Sequence, residues 1–139
     1  MISEQEKPLI SVIILNYNAG DLLINCVNSV FKTNYKNYEV IVVDNVSTDY
    51  SHKKCKEKFE KIQLIENLEN FGYCEGNNIG IRKAKGEFVV ILNPDTIVDP
   101  NWLDEFLKAY STFGDGLDQP KILWLYEKDV LQSTGHMMH

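Results

Sequence analysis

The chain has 139 residues with 44% apolar and 24% charged content, which is one soluble domain with enough interior for a real core. Its formal charge is −6 and Arg82 is the sole arginine, so no broad basic face for nucleic acid exists. The same balance leaves few fixed cations for a small anion such as a diphosphate, and a bound metal would have to neutralise much of that charge. Cys26, Cys55 and Cys74 are odd in number and lack Cys-x-x-Cys spacing, which points to reduced thiols in a cytosolic protein and not to a disulfide framework. No stretch reaches the roughly 18–20 apolar residues of a transmembrane segment, and the polar start, Met1 to Pro8, does not read as a signal peptide.

In chain order, Leu9 to Leu15 reads as the first strand, running into the polar loop Asn16-Tyr17-Asn18-Ala19-Gly20. Asp21 is expected as an N-cap before Leu22, Leu23, Cys26, Val27, Val30 and Phe31, which recur at helical spacing; this helix should reach about Thr33. Glu39 to Asp44 is the second strand, again ending in a polar cluster, Asn45-Val46-Ser47-Thr48-Asp49. Ser47 or Thr48 is expected to cap a lysine-rich, weakly amphipathic, surface-lying helix that runs to about Phe59, with His52 solvated. Ile62 to Ile65 is a short third strand. Tyr73 to Ala84 reads as a helix despite Gly76 and Gly80, each costing about 1 kcal/mol relative to Ala. Close approach of a backbone or ligand would account for the two glycines, and so would simple tolerance. Lys85-Gly86 ends that helix.

Phe88-Val89-Val90-Ile91-Leu92 is a continuous apolar run, expected as a buried strand, and Pro94 stops it. Asp95 then lies just past the strand's carboxyl end, the edge where open α/β sheets bind ligands. With the amide oxygen of Asn93 it suits a hard divalent cation; a plain turn or helix cap is the alternative. Asn101 to Phe113 is an amphipathic helix with Trp102, Phe106, Leu107 and Tyr110 on its apolar side, ended by Gly114 and Gly116. Lys121 to Tyr126 and Val130 to Ser133 read as a hairpin around Glu127-Lys128-Asp129.

Strand and helix alternate, which predicts an α/β fold: a mostly parallel, Rossmann-like sheet flanked by helices, with a C-terminal hairpin. Parallel strands would gather Asn16-Tyr17-Asn18, Asp44-Asn45 and Asn93-Pro94-Asp95 along one edge. The glycine-rich cradles are missing: neither Gly-x-Gly-x-x-Gly nor a Walker phosphate loop follows the first strand. A metal held by Asp95 is the alternative cradle, and Asp44 is placed to accept a hydrogen bond from a base or ribose, or else to stabilise its own loop. A receiver-like module also gathers acids at strand ends, but the first strand here ends in Asn-Tyr-Asn and not in an acid pair.

The ordered set Ser11–Asn18, Val42–Asp49, Asn67–Tyr73, Gly76–Gly80, Leu92–Thr96 and Leu131–Gly135 resembles the amino-terminal half of family 2 glycosyltransferases of the GT-A fold, rhamnosyltransferase-type members above all. Each segment is weak alone; in order they are specific. The resemblance implies one nucleotide-sugar-binding domain over residues 1–139 that lacks the acceptor-binding half. It implies that Asn16, Tyr17 and Asn18 border the nucleotide, that Asp44 with Asn45 serves the base, and that Asn78 lies near the nucleotide-sugar. Asn93-Pro94-Asp95 stands where the family has Asp-x-Asp, so Asp95 would bind Mn²⁺ or Mg²⁺, with Asn93 lowering the local charge. The implied reaction is inverting transfer of a hexosyl or rhamnosyl group from a UDP-, dTDP- or GDP-linked sugar to a hydroxyl of a glycan, glycolipid or glycoprotein. The family's catalytic base comes from the acceptor half, so none is named; turn or surface roles suit Asp115, Asp118, Glu127 and Asp129. The alternatives are a non-catalytic nucleotide-sugar-binding remnant, or the donor part of a split or truncated transferase. The expected location is cytoplasmic, at the membrane's inner face for some roles, and the face left bare by an absent acceptor half favours a homo-oligomer. His136 and His139 are expected to be a loose chain end and not a metal pair.

Overall fold

The computed structural model describes residues 7–118 and, beyond them, the strand segments 122–123, 131–133 and 137–138. Strands β1 (Ile10–Asn16), β2 (Tyr38–Asp44), β3 (Gln63–Glu66) and β4 (Phe88–Leu92) form one parallel sheet in the order β3-β2-β1-β4. The register sets Asn16 opposite Asp44, Asp44 opposite Glu66, and Ile14 opposite Leu92. All four carboxyl ends therefore lie on one edge. Helices α1 (Asp21–Phe31), α2 (Ser51–Lys58), α3 (Gly72–Lys83) and α4 (Trp102–Phe113) cover the faces.

β1 and β2 are central and read as unbroken apolar runs because both of their faces are covered. Val12, Ile14, Val40, Val42 and Leu92 pack with Leu23, Cys26, Val27 and Val30 of α1 and with Cys55 of α2. Ile10 continues this face toward Tyr35 and Leu103, with Phe88, Val90, Trp102 and Phe106 against them. The opposite face, Ile13, Ile41 and Val43, meets α3 through Ile79. A Cβ on Gly76 would lie 2.6 Å from a Leu15 methyl, and one on Gly80 would lie 2.6 Å from Cγ2 of Ile13. These glycines thus let α3 sit close to the sheet, and the close approach is to β1 and β2 side chains.

Several boundaries and environments differ from expectation. β1 is shifted by one residue, so Asn16 is its last member. α1 is preceded by Gly20 (φ +58) and not by Asp21, which is already helical. α2 starts at Ser51, not after Ser47 or Thr48, and it is no mere surface element: Ser51, His52 and Cys55 are buried. His52 was expected in solvent and is 5% exposed. β4 was expected to be a buried strand, yet among the described residues it lies at the sheet's edge, with Val89 41% and Ile91 45% exposed. Leu103, outside the expected apolar set of α4, is its one buried residue, while Tyr110 is exposed. The hairpin's pairing is present as β6 (Ile122–Leu123) against β7 (Leu131–Ser133), and β5 (Leu117–Asp118) pairs unexpectedly with β8 (Met137–Met138), both antiparallel. The hairpin turn at 127–129, His136 and His139 lie outside the described residues. No helix among the described residues is long and apolar enough to cross a membrane.

The tight fit of α3 gives a differential prediction. Gly80→Ala brings a methyl against Cγ2 of Ile13 and, at 3.0 Å, Cγ2 of Val43, both on stiff branched side chains. Overpacking of about 1–3 kcal/mol outweighs the ~1 kcal/mol gain in helix propensity. Gly76→Ala mainly meets the mobile end of Leu15 and should lie nearer neutral. Urea unfolding should rank Gly80→Ala as the less stable of the two.

Candidate functional site

Strand order reverses between β1 and β4, because the chain runs outward from β1 through β2 and β3 and then returns to β1's other side. At such a switch point the flanking loops diverge and leave a crevice at the carboxyl ends. Asn16 to Asn18 leave β1 on one side of it, and Asn93 to Asp95 leave β4 on the other. β2, bearing Asp44 and Asn45, is one strand further along, so Asp44 and the β4 end are roughly 10 Å apart, two strand spacings. The expected polar clusters therefore do converge.

On the β2 side the side chains are locked to one another. Asn16 and Asp44 are both buried, and the Asn16 amide donates to Asp44 Oδ1 at 2.8 Å. The same nitrogen lies 3.2 Å from Ser47 Oγ and 2.9 Å from Ser51 Oγ. Ser47 closes an Asx-type turn by giving its hydroxyl to Asp44 Oδ1 and its amide to Oδ2. This is why Ser47 cannot cap α2. The N-cap position is Tyr50, without a side-chain cap; Asp49, one residue earlier, accepts the amide and hydroxyl of Ser51 on Oδ1, while its Oδ2 takes the amide of Gly20. Burial works against the charged form of Asp49, but those donors outweigh it and hold its carboxyl below the ordinary value.

Asn18 completes the zip between the two loops. Its Oδ1 accepts the backbone amides of Thr48 and Asp49, and its backbone N–H donates to Ser47 Oγ. Asn45 points the other way: its side chain donates to the Gly72 carbonyl and accepts from Asn67, fastening the loop to the start of α3. His52, which the flanking lysines disguise in the sequence, lies between Asp44 Oδ1 (3.5 Å from Nδ1) and Glu66 Oε1 (3.3 Å from Nε2). The signal that would have found it is the short stripe Ser51, His52, Cys55 on one helical face. Two residues here adopt left-handed backbone that ordinarily belongs to glycine or asparagine: Val46 (φ +62) and Tyr50 (φ +59). Each such conformation costs of order 1–3 kcal/mol.

The β4 side is built differently. Asp95 and Asn93 are exposed, and among the described residues no hydrogen bond or ion pair engages the Asp95 carboxylate. The turn itself is held from beneath: the Thr96 amide bonds the Asn93 carbonyl, and the Cys26 thiol of α1 reaches that carbonyl at 3.6 Å. Burial pushes the Cys26 thiol up to about 12, against a lowering contribution from the Thr96 amide, so it stays a neutral donor. Tyr17 is 57% exposed at the mouth of the crevice. Asn78 is exposed on α3 and no hydrogen bond joins it to the other candidates, whereas its neighbour Asn77 is buried. The structure thus joins Asn16, Asn18, Asp44 and Asn45 in one network, sets Asn93 and Asp95 across the switch point, and leaves Asn78 apart.

Residues 11–131 match the pattern of the family described as Glycosyl transferase family 2. The chain is 35% identical over 99 residues to glycosyltransferase GlyG of Streptococcus pneumoniae, covering 69% of this chain and 33% of that protein. It is 30% identical over 141 residues to the putative colanic acid biosynthesis glycosyl transferase WcaA of Escherichia coli, covering 89% of this chain and 50% of the relative. The chain therefore spans between a third and a half of these two relatives. Among solved structures, the mannosyltransferase PcManGT of Pyrobaculum calidifontis, in complex with GDP-Man and Mn²⁺, superposes with a TM-score of 0.75 at 24% identity, over 89% of this chain and 38% of that one. That likeness shows the GT-A fold.

Two predictions follow from the buried groups. Asn16→Asp would replace the amide that donates to Asp44 with a second carboxylate in a buried site. It should cost about 3 kcal/mol or more, read by denaturant melts of the variant against the wild type. Burial also raises the thiols of Cys26 to about 12 and Cys55 to about 11. Their folded values exceed the unfolded value near 9, so the stability they carry is complete below about pH 9 and falls as pH rises through 11 to 12. The expected slope is up to about 1.4 kcal/mol per pH unit for each thiol, and Cys55→Ala should flatten it.

Proposed function

Because this chain belongs to glycosyltransferase family 2, we propose that it forms the nucleotide-sugar-binding domain of an inverting transferase, with the donor lying across the β1–β4 switch point. The observation that carries the reading is the contrast within one crevice: a sealed polar network at the ends of β1 and β2, and an exposed, unpartnered carboxylate at the end of β4. The sealed side would hold the nucleoside. Asp44 organises that end of the site, Asn16 and Asn18 fix its walls, and Tyr17 borders the base. Asn45 ties this wall to α3, where Asn78 would face the sugar part.

The diphosphate falls to the Asn93-Pro94-Asp95 turn. One carboxylate and one amide oxygen are too few for a self-contained metal cage, and among the described residues no group of three His, Cys, Asp or Glu side chains forms one. That donor set fits a small hard cation, Mn²⁺ or Mg²⁺, which completes its shell with phosphate oxygens and water. Asp95 would hold it, with Asn93 alongside. A bound cation would supply Lewis-acid stabilisation of charge on the leaving diphosphate. With net charge −6 the chain offers little other cationic support. GDP-Man and Mn²⁺ in PcManGT support this assignment. Deprotonation of the acceptor hydroxyl is assigned to a carboxylate on the acceptor side. The colanic acid relative supports a cell-surface polysaccharide as the acceptor class.

A second reading is donor binding without sugar transfer. Sugar transfer by the isolated chain would dismiss it. The exposed apolar side of β4, Val89 and Ile91, supports self-association, to be read by light scattering.

The test is thermal unfolding with UDP, dTDP and GDP, each with Mn²⁺ or EDTA. One nucleotide should raise the midpoint in Mn²⁺ and much less in EDTA. Asp95→Asn should abolish the metal-dependent part while leaving the midpoint without ligand unchanged, since Asp95 has no partner to lose. A wild-type chain that is folded yet indifferent to all three nucleotides would refute the proposal.

A further inference from the structure

Val46 and Tyr50 stand in left-handed backbone, at φ +62 and +59, on the loop between β2 and α2. For a β-branched residue such as Val46 this is a true outlier, and for a bulky aromatic one it is rare. Strain of this kind is usually repaid by burial of the side chain, but here it is not: Val46 is 43% and Tyr50 62% exposed. Neither side chain has a hydrogen bond, and neither packs into the apolar clusters of the sheet. The backbone around them is held by other groups, since Asp44 fixes the amide of Ser47, Asn18 fixes those of Thr48 and Asp49, and Asp49 fixes that of Ser51. The network would hold glycine or asparagine in the same conformation at lower cost. The fold therefore gives no reason for side chains of this type at 46 and 50.

Both positions belong to the loop that Asn18 zips to the β1 loop, next to exposed Tyr17. Asn16 and Asp44 lie buried at the ends of β1 and β2, and Tyr17, Val46 and Tyr50 are exposed on the loops that follow those strands. The flat apolar face of a base matches side chains of that kind. We propose that Val46 and Tyr50 are specificity-determining residues whose exposed apolar surfaces contact the nucleobase of a nucleoside diphosphate, their backbone strain being retained for that contact. The inference rests on the donor-site reading above and adds the residues that would grip the base.

The experiment compares the wild-type chain with Val46→Gly, Val46→Asn and Tyr50→Gly. Each is measured for its midpoint without ligand and, by calorimetry with Mn²⁺, for its Kd toward UDP, dTDP, GDP and inorganic pyrophosphate. Relief of strain should raise the ligand-free midpoint of Val46→Gly and Val46→Asn by roughly 3 °C or more. Nucleotide affinity should move the other way, weakening roughly fivefold to tenfold in all three variants, the effect of returning about 50 Å² of apolar surface to water. Affinity for pyrophosphate, which has no base, should stay within twofold. A more stable Val46→Gly with unchanged nucleotide affinity would overturn the inference and leave the donor site standing. So would a less stable Val46→Gly, since its side chain would then serve the fold, or a parallel loss of pyrophosphate affinity. Failure of the wild type to bind any nucleotide would overturn the donor-site reading and this inference together.

Discussion

The pairing of Asn16 with Asp44 is the constraint on which the rest of the site depends. The parallel register of β1 and β2 sets the two residues side by side at the strand ends. Burying a carboxyl to 2% exposure is costly unless donors surround it. The Asn16 amide, the Ser47 hydroxyl and the Ser47 amide supply them. Meeting that demand fixes the course of residues 44–51, because Ser47 is drawn back to Asp44, and α2 then begins only at Ser51, whose amide Asp49 accepts. Removing Asn16 would therefore do more than delete one hydrogen bond: it would leave a buried charge short of donors, a loss of the large kind.

The two sides of the crevice differ because their tasks differ. A base is recognised by groups already in place, and pre-organised loops reduce the ordering cost of binding. The β2 side has that character: Asn18 Oδ1, both Asp44 oxygens, the Asn45 side chain and both Asp49 oxygens already hold hydrogen bonds within and between the loops. A metal diphosphate brings its own ligands and needs a carboxylate that is not committed. Asp95 has that character, exposed and unpartnered, above a turn steadied by Cys26. The raised thiol of Cys26 keeps it a donor to the Asn93 carbonyl throughout the neutral range, so the turn is anchored without adding a negative charge beneath Asp95.

Much of this was legible in the residues. The central strands announce themselves because both faces of β1 and β2 are buried, and the polar clusters after them fall where a parallel sheet must place them. β4 misled for a physical reason: Phe88 to Leu92 is as apolar as β1, but whether a strand is central or at an edge depends on strand order, which no local pattern contains. His52 was hidden by Lys53 and Lys54, since a helix with one narrow buried stripe looks polar on average. Ser47 and Thr48 were reasonable caps by composition, but a tertiary demand, the buried Asp44 carboxylate, claims Ser47, and α2 begins only at Ser51. The left-handed conformations of Val46 and Tyr50 could not be read at all, because residue preference argues against them and only the surrounding hydrogen bonds impose them.

One topological event explains both the crevice and the exposed apolar surface. When the chain leaves β3 it must pass over β2 and β1 to reach the far side, and the connecting helix α3 crosses on the face opposite α1 and α2. Reversal of direction opens the gap at the carboxyl ends of β1 and β4. The crossing also seats α3 over β1 and β2, where Gly76 and Gly80 let it come close, and so leaves it short of β4. Val89 and Ile91, on the same face as Ser11 and Ile13, have no helix above them among the described residues. Covering them with a longer or shifted α3 would lift the helix from Ile13 and Val43, and would pull Gly72 away from the Asn45 side chain that fastens it. The bare side of β4 is thus the consequence of a helix held where the site needs it, and any chain segment or partner that covers Val89 and Ile91 can do so without disturbing the network around Asp44.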